Sequence, residues 1–234
     1  MPRNPPWERD ELILALDLYF RVGAGVRSRH PDLIELSETL RQLPIHNHAA
    51  RGENFRSPDS VHLKLQNFLA IDPKHKGKGL PHGGRAERKI WSDFEAKRDE
   101  LSRLAVAIRE GALILQVAQG HIDEEEEFPE GKILYRLHRI RERNPRLVKK
   151  LKTKWLENYG RLICQVCGFD FEKAYGTLGR GYIECHHNVP VSELTPNQRK
   201  RLQDLSLVCA NCHRVIHRRR PWVSVAELSN LVKL

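Results

Sequence analysis

The chain has 234 residues, 40% of them hydrophobic, and 40 Lys and Arg against 30 Asp and Glu, for a formal net charge of +10. That length allows one or two domains with real cores, and the positive excess points to a polyanionic partner. No apolar run approaches the roughly 20 residues of a membrane span, and MPRNPPWERD lacks the features of a signal peptide, so the expectation is a cytoplasmic protein with no membrane partner.

The first predicted element is a helix in WERDELILALDLYFRV, dense in apolar residues and opened by acids that complement the helix dipole. A second is expected from Asp32 to Leu43, stopped by Pro44. Ser57-Pro58 forms an N-cap and N1 pair that starts a third, running to about Ile71. KHKGKGLPHGG then reads as a loop, and helical periodicity returns from Arg85 to Val117. DEEEE, Asp123 to Glu127, repels itself and marks a linker over 119–131. From Lys132 to Arg161 there are eleven Lys or Arg against two acids, Glu142 and Glu157, which predicts a basic helix interrupted at Pro145 and ending near Tyr159. The last third changes character. Short strands are expected around CQVCGFDF and GYIECHH, a short helix from Thr195-Pro196 toward Leu202, and a helix from Cys212 to about Arg218. Ser224 and Glu227 fit a capping box that opens a terminal helix.

The expected fold class is α+β. A mainly helical domain over 1–118 precedes the acidic linker, and a second domain over 132–234 begins with the basic helix.

Four of the five cysteines form two pairs, Cys164-Gln-Val-Cys167 and Cys209-Ala-Asn-Cys212, separated by forty-one residues. Each pair presents two thiolates to one ion, and together they predict a tetrahedral, structural zinc site. His213 and His217, four apart, fall on one helical face beside that anchor. With one more group they would hold a second, incompletely saturated divalent ion, as a catalytic metal requires. His186 is the best third ligand. Its neighbour His187 points to the opposite face of a strand, so the two are not interchangeable. Arg214 and Arg218 to Arg220 lie near enough in sequence to hold phosphates.

ECHHNVP followed by DLSLVCANCHRVIH resembles the HNH (ββα-metal) endonucleases that carry a zinc held by two CxxC pairs. The resemblance covers roughly Leu162 to Val223. It implies a C-terminal nuclease domain in which His186, His213 and His217 bind a catalytic ion such as Mg²⁺ or Mn²⁺. His187 matches the general base that activates water. Asp204 stands where the family has its middle Asn, which orients the base's loop; Asp accepts the same hydrogen bonds but cannot donate an amide N–H. The implied products carry 5′-phosphate ends.

RNPPWERDELILALDLYFRV, LSETLRQLP, FRSPDSVHLKLQNF and HKGKGLPHGG look like the DNA sulfur-binding domain of McrA-like, modification-dependent (type IV) restriction endonucleases, over roughly residues 3–115. This implies recognition of phosphorothioate in double-stranded DNA. Lys76, Lys78, Leu80, Pro81, His82, Gly83 and Gly84 are the candidates for reading the sulfur. Arg51, Arg56, His62, Lys64 and Gln66 are candidates for phosphates or base edges. A relative that reads 5-methylcytosine or another modified base and a zinc-dependent DNA-binding regulator without cleavage are the competing readings. Cutting two strands with one site per chain favours a homodimer.

Overall fold

A computed structural model describes residues 4–23, 25–75, 84–118, 131–134, 136–137, 145–189, 201–218 and 223–232. The chain forms two units, Met1–Tyr135 and Arg136–Leu234. Among the described residues no helix is long and apolar enough to cross a membrane.

The first unit is built around α1 (Arg9–Val22), in which every residue from Asp10 to Tyr19 is buried. A helix apolar on nearly all sides must lie at the centre of its bundle. It is packed by α2 (Pro31–Gln42), α3 (Pro58–Leu69), α4 (Arg85–Phe94) and α5 (Arg98–Ala118). Leu14, Leu16, Leu33, Phe68, Leu101 and Ile108 make the centre of the core. The starts of α2 and α3 follow local chemistry. His30 Nδ1 accepts from the Asp32 N–H at 3.3 Å and Ser57 Oγ from the Ser60 N–H at 3.2 Å, each with a proline at the next position. The helical run expected from Arg85 to Val117 is two helices, broken at residues 95–97.

The boundary of this unit differs from the expected 118. Residues 132–134 are helical, and Ile133 and Leu134 are buried in the first unit's core. Asp10, wholly buried, accepts from the Lys132 N–H at 2.6 Å, while Lys132 Nζ reaches Glu8 at 2.9 Å. Gly131 has φ +94, and a Cβ there would collide with the Asp10 carboxylate. A carboxylate on α1 thus caps a helix start more than a hundred residues away, which no local pattern reveals. The acidic stretch 119–130 and the Thr195-Pro196 helix lie outside the described residues.

The second unit opens with α6 (Pro145–Tyr159), whose N1 is the proline expected to interrupt the basic helix. Leu151 is buried, with Leu147, Val148 and Trp155 against the same core. A cysteine-bearing turn leads to α7 (Phe171–Tyr175), then β1 (Glu184–His187), β2 (Leu205–Val208), α8 (Ala210–Ile216) and α9 (Val225–Leu231). The strands are antiparallel, with Cys185 opposite Leu207 and His186 opposite Ser206. CQVCGFDF is a tight turn instead of the expected strand: it contributes only the isolated bridge Ile163–Asp170, because two cysteines three apart must face one point. The predicted capping box at α9 is present, with the Glu227 N–H donating to Ser224 Oγ at 3.1 Å and the Ser224 N–H to Glu227 at 2.8 Å.

Candidate active site

Cys164 and Cys167 lie on the turn before α7, and Cys209 caps α8, its sulfur accepting from the Cys212 N–H at 3.4 Å. The turn closes through Gly168 (φ +71), whose N–H donates to Cys164 O at 2.8 Å. The ligand atoms of Cys164, Cys167, Cys209 and Cys212 all lie within 4.8 Å of one another. Cys167 Sγ is 3.8 Å from Cys209 Sγ. A tetrahedron with Zn–S bonds of about 2.3 Å has edges of about 3.8 Å, so the spacing fits zinc.

The thiol chemistry points the same way. Burial opposes ionisation of Cys164, but backbone N–H groups of Cys167, Cys209 and Val166 outweigh it and hold its pKa below the usual thiol value. Burial pushes Cys212 upward, and the neighbouring Cys209 and Cys167 add to this. Four crowded thiols cannot all ionise unless a cation compensates their charge.

Sequence reasoning missed how this turn is joined to the sheet. The Gln165 N–H donates to Leu207 O at 2.9 Å, and Gln165 Oε1 accepts from the Leu207 N–H at 2.6 Å. The free edge of β2 is therefore paired with a residue inside the first CxxC. The thiolate cluster, β2 and the start of α8 form one rigid scaffold.

On that scaffold the ligand atoms of His186, His213 and His217 also come within 4.8 Å of one another. Ring centroids are 5.3 Å apart for His186–His213, 5.1 Å for His186–His217 and 5.0 Å for His213–His217. β1 supplies the first imidazole. α8 supplies His213, and His217 sits at its C-cap, one residue past Ile216, where the helix ends short of the expected Arg218. Three neutral imidazoles at this spacing suit a divalent ion with positions left for water and an anion.

Glu184, two residues before His186 on the same strand face, has Oε2 2.7 Å from His213 Nδ1. The carboxylate takes the Nδ1–H, which leaves Nε2 as the ligand atom and makes it more basic. The signal for this role was the i, i+2 spacing of Glu184 and His186. His187, on the opposite face, is buried together with Cys185. Cys185 belongs to the apolar cluster. Asp204 ends a 3₁₀ turn (Leu202–Asp204). Its carboxylate accepts from the Arg201 N–H at 3.2 Å, and its carbonyl accepts from the Asn188 N–H at 2.9 Å. Arg214 and Arg218 are exposed. Arg219 and Arg220 lie outside the described residues.

Two antiparallel strands followed by a helix bring imidazoles from both to one point, an arrangement that could hold a metal ion. Residues 164–219 match the family model described as HNH endonuclease, which supports a nuclease domain with DNA as substrate. No curated protein and no solved structure matches the chain.

The candidate DNA contacts of the first unit fall into four groups. Arg56 and Lys64 use their charges inside the protein, and the partly exposed Arg51 is held by backbone carbonyls. Arg56, 2% exposed, makes two bonds of 2.7 Å to the buried Glu11, donates to Pro5 O and Pro6 O, and stacks on Trp7 and Phe55. Arg51 donates to Arg41 O at 2.7 Å, to His46 O at 2.9 Å and to Leu43 O at 3.3 Å, and so closes the C-terminal end of α2. Lys64 is buried, paired with Glu87 and 4.9 Å from the Trp7 ring centroid. The expectations of DNA contact at Arg56 and Lys64 are corrected, because each of these buried cations is paired with a buried carboxylate, whereas Arg51 is partly exposed and bound to carbonyl oxygens at the end of α2. His62 and Gln66 share a half-exposed face of α3, 3.2 Å apart. Gly84 is the exposed N-cap of α4, and a Cβ there would strike the Glu87 carboxylate. Lys76, Lys78, Leu80, Pro81, His82 and Gly83 lie outside the described residues.

Proposed function

We propose that this protein is a divalent-metal-dependent HNH endonuclease whose N-terminal unit directs it to modified DNA, with phosphorothioate as the mark. The observation that carries the hydrolytic part is the convergence of His186, His213 and His217, with His187 following His186 in β1. The sulfur-reading part is supported by the resemblance of residues 3–115 and by a half-exposed α3 face carrying His62 and Gln66.

Phosphodiester hydrolysis is slow because an anion must be attacked by a weak nucleophile. His186, His213 and His217 would hold a divalent ion, which would supply positive charge to offset the negative charge developing on the phosphate and the leaving oxygen. His187 accepts the proton of the attacking water; a neutral imidazole, with an intrinsic pKa of about 6.5, suits that task at neutral pH. Glu184 fixes the ring plane of His213. Arg214 and Arg218 offer charge to flanking phosphates. Cys164, Cys167, Cys209 and Cys212 hold structural zinc and take no part in the reaction. With one active site per chain, double-strand cleavage favours a homodimer or two molecules meeting on the DNA.

The test is incubation of the full-length protein with plasmid carrying phosphorothioate, 5-methylcytosine or neither, in Mg²⁺ or Mn²⁺. Wild type is expected to cut the phosphorothioate plasmid and leave 5′-phosphates, and His187→Ala to lose about 10²- to 10⁴-fold in rate. An equally active His187→Ala variant contradicts the base assignment. Cleavage of methylated plasmid alone transfers the specificity to base reading, and binding without cleavage by either protein indicates a regulator.

A further inference from the structure

β1 ends at His187, and the next residue is held twice. The Asn188 N–H donates to Asp204 O at 2.9 Å, which extends the strand ladder by one pair. Asn188 Oδ1 accepts from Ser206 Oγ–H at 2.8 Å. Asp204 and Ser206 flank Leu205, the residue directly opposite His187. Two bonds therefore bracket the cross-strand partner of His187 and fix the backbone immediately after it. The side-chain bond adds a second, off-axis point, and two points define an orientation where one does not.

The Asp204 carboxylate is engaged elsewhere, with the Arg201 N–H of its own turn. What Asp204 offers to the His187 strand is its carbonyl, which any residue would supply. Asn188 and Ser206 are bonded side chain to side chain across the two strands at this end. Ser206 lies opposite His186, so its hydroxyl is on the face where the three imidazoles meet. The clamp is thus built against the rigid strand that Gln165 ties to the thiolate cluster.

We propose that Asn188, held by Ser206, is a positioning residue for the general base His187. This inference rests on the nuclease reading and adds a residue to it. An imidazole displaced by about 1 Å can lose on the order of 10²-fold in rate. Asn188→Ala should therefore lower kcat by about 10- to 100-fold with little change in KM. Ser206→Ala should do the same, and Ser206→Thr, which keeps the hydroxyl, should recover most of the rate.

The deciding experiment is a double-mutant cycle on plasmid cleavage by the full-length protein, with Mn²⁺ affinity measured in parallel. In the His187→Ala background, adding Asn188→Ala should cost nothing further, because the group it positions is gone. Mn²⁺ affinity should be the same in wild type and Asn188→Ala. Full additivity, a fall in Mn²⁺ affinity, or an Asn188→Ala variant as fast as wild type each overturns the proposal. So does a loss on Asp204→Ala that Asn188→Ala does not reproduce. If wild type itself cuts no plasmid, the nuclease reading fails first, and the two failures are told apart by that control.

Discussion

Replacing Arg56 by Ala separates a folding role from a DNA-binding role. Its guanidinium makes two bonds of 2.7 Å to Glu11 and lies 4.5 Å from the Trp7 ring. Glu11 is fully buried, with His46 Nε2 at 3.1 Å as another side-chain partner. Burial opposes ionisation of Glu11, but His46 and Arg56 outweigh it and hold the carboxyl below its ordinary value. The ion pair therefore stabilises the fold above the ordinary carboxylate range and is lost as pH falls through the folded pKa. Removing Arg56 leaves a buried carboxylate short of its main partner, a loss of about 3–5 kcal/mol. For a unit of this size that is a fall of roughly 10–20 °C in Tm. Arg56 also has φ +48, a left-handed conformation. Arg56→Gly should therefore be more stable than Arg56→Ala by about 1 kcal/mol. Calorimetry of the full-length variants at pH 7 reads both effects. An Arg56→Ala protein melting within about 3 °C of wild type, but binding DNA more weakly, would refute the structural role.

Burial pushes the Asp10 carboxyl up to about 7, against the opposing N–H groups of Lys132 and Ile133. A raised carboxyl destabilises the fold as pH rises from about 4 through 7, by up to about 4 kcal/mol at about 1.4 kcal/mol per pH unit. Asp10→Asn should flatten that slope in urea unfolding between pH 5 and 8, and an unchanged slope counts against the clasp. Glu184→Gln should weaken Mn²⁺ binding about 10- to 100-fold by calorimetric titration, because the amide no longer fixes and polarises His213; equal affinity would show that the contact is incidental. Cys167→Ser should lose bound zinc by elemental analysis and lower the melting temperature of the second unit, while retention of zinc would place the ion elsewhere.

What the sequence made legible was local. Ser57-Pro58, the Ser224–Glu227 box, both CxxC pairs and the spacing of His213 and His217 are patterns whose physics lies within a few residues. The thiolate and imidazole clusters follow from them, since each knuckle and helix turn presents its ligands to one side. What escaped depends on partners far along the chain. Arg56 and Lys64 look like free cations until Glu11 and Glu87 are seen beside them. The start of the helix at 132 looks like the exit from a linker until Asp10 is found capping it. Gln165 reads as a spacer between cysteines, yet its side chain closes the edge of β2.

The central claim is that one divalent cation sits among three imidazoles on a scaffold held by a separate zinc. Anomalous diffraction from crystals soaked in manganese tests it directly. The account predicts a manganese peak within bonding distance of His186, His213 and His217, with zinc at the four cysteines. Manganese absent from the imidazoles, or the three rings turned away from one another, would contradict it.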